Sequence, residues 1–536
     1  MKQIRRGAIL LAGTALVSLA LSACGSSSDG GSSGSSLIVG TTDKVVSIDP
    51  AGSYDNGSLT VQTQVYQYLL NFPAGSTELT PDAASKCAFT QPTQYTCTMK
   101  TGLKFANGHD LTASDVAFSF KRIVKINDPN GPASLLGGMK SVEAKDPQTV
   151  VFTLASPNDQ TFPQILVTSA GPIVDEQTYP ADKVLDDTAA VKAQGFSGPY
   201  TIGKYTKGQI AQFKANKTYD GAYNKPKADT VTLQTFADAN NMKLAIQNGD
   251  IDVAWRSLTP TDIDSLSKAK NVKVYKGAGG ELRYIVFNMK TMPGKDAAQK
   301  LAIRQAMASS IDRDEISQQV YKGTYTPAYS AVPDGQTGAV ESFKDKYGDK
   351  PDKAEAAKFL SDAGVKAPVS IDLQYNTDHY GSSSDQEYAA VKRQLEASGL
   401  FKVNLQSTEY VTYSKERVKD AYPIFQLGWF PDFPDADNYV SPFFSENNFL
   451  QSHYNFSAKD NPVPEMTKLL NSERTDADKT SRIATLKSIQ DLVAEQVPIL
   501  PLLTGAQVAV GRSNVDGIDK TLDAAFKFRF TSLSKS

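Results

Sequence analysis

Two stretches of this chain read as strand–helix–strand, and that pattern limits the possible folds more than any other feature of its 536 residues. In the first, Val231, Leu233 and Thr235 alternate along a strand over 230–236, Asp238 offers an N-cap, and the helix behind it carries Met242, Ala245 and Ile246. Gly249 closes that helix ahead of a strand at 251–255. In the second, Asp352 with Glu355 three residues on makes a capping-box-like start, Phe359 and Leu360 face inward, and Gly364 stops the helix. A strand at 369–375, a helix carrying Tyr388, Val391 and Leu395 up to Gly399, and a strand at 402–407 complete that unit. Near the C-terminus Ile483, Leu486, Ile489, Val493 and Val497 recur at helical spacing and stop at Pro498. The chain is therefore mixed α/β, and its length implies about three structural units rather than one core.

The 56 basic and 58 acidic residues nearly cancel, which excludes the basic excess of a nucleic-acid binder. The histidines at 109, 379 and 453 form no metal-ligand pattern, and three cysteines cannot build a zinc ribbon, so neither a metal nor a cofactor is expected. A secreted hydrolase is the competing class. It would need a nucleophile with its base, a carboxylate pair or a metal site. No His-Glu-x-x-His and no phosphate-cradling Gly-x-x-x-x-Gly-Lys occurs, and the Gly-x-Ser-x-Gly at 30–34 sits in a linker with no strand before it or helix after it. No catalytic residue is assigned, and any ATP hydrolysis must come from a separate subunit.

Lys2, Arg5 and Arg6 precede an apolar run at 8–21 that is short for a membrane span, and 21–25 resembles a bacterial lipobox. A plain secretory signal and an uncleaved anchor are the alternatives. The expectation is a signal peptide at 1–23, a lipidated Cys24, and a Gly/Ser tether over 24–36 holding an extracytoplasmic protein to the cell membrane, in a periplasm or at the outer face. Outside the cytoplasm, Cys87 and Cys97, ten apart across a Pro-containing turn, are expected to form a disulfide stapling a hairpin.

Several segments then occur in a recognisable order. Gly102-Leu103-Lys104-Phe105-Ala106-Asn107-Gly108 is followed by Leu111 to Val116 and by Phe120-Lys121-Arg122; later come Ser197-Gly198-Pro199-Tyr200, Gly249 to Asp252, and Phe287-Asn288-Met289 leading to Ile311-Asp312-Arg313. The order resembles the large solute-binding proteins of peptide-type ABC importers, family 5. The resemblance implies a two-lobed α/β clamshell of the periplasmic-binding-protein kind (type II, large cluster) with an extra inserted domain. Lobe I would comprise 37–73, 195–289 and 505–536, the inserted domain 74–194, and lobe II 290–504, with crossings near 287–290 and 503–506. It further implies a monomeric binder that captures peptide in the interlobe cleft and delivers it to ABC permease subunits with their cytoplasmic ATPase. The same fold with a nickel complex, haem, an opine or an oligosaccharide as ligand is the alternative.

The segment 426–444 is the leading candidate for ligand contact, with three acidic residues and two prolines in a turn after Trp429. In peptide-binding members of that family an aspartate three residues after the tryptophan pairs with the peptide ammonium, which puts Asp432 in that role, with Trp429 and Phe433 beside it. Asp435 and Asp437 read as structural. On the other lobe, Tyr54 and Asp55 follow Ile48-Asp49-Pro50 and are the corresponding candidates. Arg283, Lys290 and Arg417 are open possibilities for the ligand carboxylate, each also readable as a surface charge.

Overall fold

One strand, Val272–Phe287, serves both halves of the molecule and explains most of its architecture. The computed structural model describes residues 35–381, 383–446, 448–454 and 463–536; the signal peptide, Cys24 and all but the last two residues of the tether lie outside them. Among the described residues eleven strands join in one sheet. Its order is Phe401–Thr408, Val369–Asn376, Ile424–Trp429, Val272–Phe287, Ile499–Arg512, Val253–Trp255, Ser36–Thr41, Thr230–Thr235, Ile210–Ala215 and Tyr200–Thr206, with Tyr325–Pro327 added beside Ile499–Arg512.

The two strand–helix–strand readings become the two parallel portions of this sheet. Ser36–Thr41 pairs parallel with Thr230–Thr235 and with Val253–Trp255, and Val369–Asn376 pairs parallel with Phe401–Thr408 and Ile424–Trp429. Parallel strands need a crossover: Ser384–Ala397 supplies it between the neighbours Val369–Asn376 and Phe401–Thr408, and Ala239–Asn248 joins the two strands that flank Ser36–Thr41. Asp238 caps the first by accepting the Asn241 amide at 2.9 Å, and Gly249 ends it in the left-handed conformation at φ 85°.

Between these portions, Leu282 to Phe287 pair with Ile424–Trp429 and with residues 499–504, whereas Val272 to Gly277 pair with residues 507–512. The register slips between Gly277 and Glu281. A Cβ on Gly279 would lie 1.3 Å from the Gly505 carbonyl oxygen, so the close approach of the two long strands requires glycine there. Val272–Phe287 thus keeps one partner, Ile499–Arg512, along its length and gains Ile424–Trp429 on its other side only from Leu282 onward.

A separate antiparallel sheet, ordered Ala84–Gln91, Gln94–Met99, Thr149–Leu154, Met139–Asp146, packs against the helix Ala113–Ile126 within 74–194. Cys87 stands opposite Cys97 in its first hairpin, Cα atoms 4.1 Å apart, and the two form a disulfide. The helix starts with a capping box of Thr112 and Asp115. On its inward face Arg122 grips buried Asp49 with two hydrogen bonds of 2.7 and 2.5 Å. The segment that carries the family resemblance is thus partly a strut, tying this separate sheet and its helix to the 3₁₀ turn Pro50–Gly52 that Asp49 caps.

On the helix Lys479–Gln496 the inward positions are Arg482, Leu486, Ile489 and Val493, one face at helical spacing. Ile483, expected on that face, stays 36% exposed because Arg482 takes the inward place. The molecule is a two-lobed α/β protein, and among the described residues no helix is long and apolar enough to cross a membrane.

Candidate ligand-binding site

The loop after Ile424–Trp429 is built by hydrogen bonds that the linear sequence does not display. Asn438 accepts the Asp432 amide at 2.9 Å and the Trp429 indole N–H at 3.1 Å through one side-chain oxygen, and its amide nitrogen donates to Asp432 Oδ2 at 3.3 Å. One side chain therefore sets both candidate ligand groups. Behind it, Arg482 holds Asp435 by two bonds of 2.8 Å and Glu473 by one of 2.9 Å. Burial, then the neighbouring Asp437 carboxylate, raises the Glu473 carboxyl far above its ordinary value, so it is protonated at neutral pH. Asp435 and Asp437 are, as read from sequence, part of this anchorage.

Two adjoining cavities lie along the shared strands. One, of about 240 Å³, is lined by Tyr54, Asp55, Trp429 and Asp432 together with Tyr410 and Phe449. The other, of about 370 Å³, is lined by Arg256, Glu281, Arg283, Tyr325 and Phe526 among others. His379, Tyr380 and Phe430 line both, so the two form one cleft with two compartments.

Four of the five residues expected at the ligand thus meet in the first compartment. Asp432 is partly buried, and its Oδ1 accepts the hydroxyl of Tyr54, which retains 42% of its surface. Burial raises the Asp432 carboxyl above its ordinary value, while the hydrogen bonds from Tyr54 and Asn438 pull the other way. The partners of this carboxylate are neutral, so a cation would gain full charge attraction in a poorly solvated place. Asp55 lines the same compartment but spends one oxygen as N-cap of the helix Asn56–Val65, accepting the Ser58 amide at 2.8 Å; its other oxygen is buried and unpaired. Trp429 both faces the cavity and packs edge-on against Phe443 and Phe449, at 5.3 and 5.5 Å. Phe433 is buried behind the loop and lines neither compartment.

Of the three cations considered for a carboxylate, only Arg283 lines the cleft. It is buried, pairs with Glu281 at 2.6 Å and lies against the rings of Tyr325 and Tyr380. Lys290 pairs with Asp420 at 2.8 Å, and Arg417 donates to the carbonyls of Phe449 and Leu450, so both are committed elsewhere. Sequence reasoning missed Arg256, Phe430 and Phe526, which come from three distant segments and stack on one another. No spacing signal links them. His379 stacks flat on Tyr410, with ring centres 3.6 Å apart, and burial followed by the charge of Arg283 lowers its pKa below 6.5.

Residues 78–451 match the family described as Bacterial extracellular solute-binding proteins, family 5 Middle. The chain is 27% identical over 476 residues to the "Probable D,D-dipeptide-binding periplasmic protein DdpA" of Escherichia coli (strain K12), covering 86% of each. Among solved structures it resembles the ABC transporter substrate binding protein CtaP from Listeria monocytogenes, with TM-score 0.77, 24% identity, and 94% and 99% of the two chains covered. It also resembles the dipeptide binding protein from Pseudoalteromonas sp. SM9913 in complex with Met-Leu, with TM-score 0.72, 21% identity, and 94% and 100% covered.

Proposed function

Because the chain belongs to the bacterial extracellular solute-binding proteins of family 5, we propose that it captures a short peptide with a free amino terminus and hands it to a membrane ABC permease. The observation that carries this reading is Asp432: a partly buried carboxylate with its pKa raised, lining the first compartment and held only by neutral partners. A peptide ammonium supplies the missing charge. Trp429 and Tyr410 would flank the first residue, and the chain would run past His379 and Tyr380 into the compartment of Arg256 and Arg283, where a carboxylate would find cations. Compartments of about 240 and 370 Å³ fit a small ligand better than a long one.

In this reading the lobes, 37–73 with 195–289 and 505–536 against 290–504, with 74–194 inserted in the first, close over the peptide. They flex where Val272–Phe287 slips register at 277–281 and where 503–506 runs beside it. The protein does no chemistry on its ligand. A lipid on Cys24 would keep it outside the cell beside its permease, with 24–36 as tether. Asp432→Ala is expected to weaken a free-amino peptide by about 3 kcal/mol or more, roughly two orders of magnitude in Kd, and to leave its N-acetylated analogue nearly unchanged. Isothermal titration of both peptides tests it; an equal loss for the two would remove the assigned role.

A further inference from the structure

We propose that Tyr54 and Arg256 form a latch that holds the two halves of the molecule together across the cleft and that an incoming peptide must displace. Tyr54 stands just ahead of the helix Asn56–Val65, on the side of the sheet that carries Ser36–Thr41. Its hydroxyl donates to Asp432, on the loop after Ile424–Trp429 of the other side, 378 residues away in sequence. Two residues before Asp432, the Phe430 ring meets Phe526 at 6.1 Å and lies under the Arg256 guanidinium at 5.6 Å. Arg256 also stacks on Phe526 at 5.2 Å and on Trp255 at 5.6 Å. Two independent contacts from one half therefore converge on three residues of the other, 430–432.

The backbone marks the same place. Arg256, Ser257 and Phe526 all adopt left-handed conformations, at φ 64°, 63° and 56°, and all three line the cleft. Non-glycine residues in this region are uncommon, and bulky ones persist only where their surroundings over-determine them. For Arg256 and Phe526 the surroundings include the sandwich with Phe430, so opening the cleft would release these two strained backbone positions from a partner that fixes them. Two other contacts join the halves at a distance from the latch: the Gln160 amide donates to the Arg474 carbonyl at 2.8 Å, and exposed Lys479 pairs with Glu78 at 3.0 Å. The displacement step rests on the ammonium reading of Asp432, since ammonium and tyrosine hydroxyl seek the same oxygen; the latch itself does not.

The test uses small-angle X-ray scattering on the full chain without peptide, as wild type, Tyr54→Phe, Phe430→Ala and the double variant. Tyr54 is half exposed, so its substitution leaves the packing in place, and melting temperatures close to wild type separate opening from misfolding. Loss of a hydrogen bond to a charged acceptor is expected to move the open-to-closed ratio about tenfold or more. The radius of gyration should rise in each single variant and most in the double one. Superimposable profiles for wild type and double variant overturn the latch. If the variants open while the N-acetylated peptide binds as the free one does, the latch stands and the ammonium reading falls; the reverse pattern separates them the other way.

Discussion

Replacing Glu473 by glutamine is expected to stabilise the protein at neutral pH, by an amount the site itself sets. Glu473 is fully buried, and burial together with the facing Asp437 carboxylate keeps it protonated when folded, whereas the unfolded chain ionises near 4.5. The folded state then binds more protons than the unfolded state between 4.5 and its raised folded pKa, so this contribution to stability is complete below 4.5 and is lost as pH rises through that window. At about 1.36 kcal/mol per pH unit, the roughly two and a half units between 4.5 and pH 7 give about 3 kcal/mol. Glu473→Gln removes that slope. Its carbonyl can still accept from Arg482 Nη2, as Glu473 Oε2 does at 2.9 Å, and its amide can donate to the facing Asp437 carboxylate. Urea unfolding read from Trp429 fluorescence in a Trp255→Phe background measures the effect in the lobe concerned, since the chain has two tryptophans. The variant should exceed its parent by up to about 3 kcal/mol at pH 7 and by under about 1 kcal/mol at pH 5. A variant less stable at pH 7, or a gain of equal size at both pH values, would refute the protonated state of Glu473.

Peptide affinity should fall as pH is lowered toward the raised pKa of Asp432, above its ordinary 3.8, because a protonated carboxyl offers an ammonium no charge; binding there releases a proton. Titration calorimetry in two buffers of different ionisation enthalpy reads that proton, and an Asp432→Asn variant with the same pH slope would contradict it. Gly279→Ala should cost several kcal/mol or prevent folding, since its Cβ would lie 1.3 Å from the Gly505 oxygen and the three nearest atoms are all backbone. Thermal unfolding within about 1 °C of wild type would show that the two strands can separate there without loss.

The helix caps illustrate what could be read in advance. Asp238, Asp352 and Gly249 announce local hydrogen-bond and φ requirements that depend on a few neighbours, and the helices begin and end at them. The loop 429–439 was legible for a similar reason: acidic and proline residues crowd into one turn, and only their roles needed the fold. Asn438 shows the limit. It sits in plain view beside those aspartates, yet an asparagine carries no sequence sign that its oxygen will bind an indole and an amide at once.

Arg482 was hidden differently, because helical periodicity identifies an inward face by its apolar residues and so assigned Ile483 to the core, while a guanidinium serving two carboxylates occupied the inward turn. The shared strand was hidden too: nothing in 272–287 records that it runs beside Ile499–Arg512 throughout and gains Ile424–Trp429 only in its second half. By itself the sequence determined the α/β class, the two crossover units, the disulfide hairpin and the acidic turn, each set by contacts within a few residues or by local spacing. Only the tertiary structure decided that Tyr54 meets Asp432, that Arg256, Phe430 and Phe526 stack, and which arginine faces the cleft, because those pairings join segments hundreds of residues apart whose approach is fixed by the packing of the whole sheet.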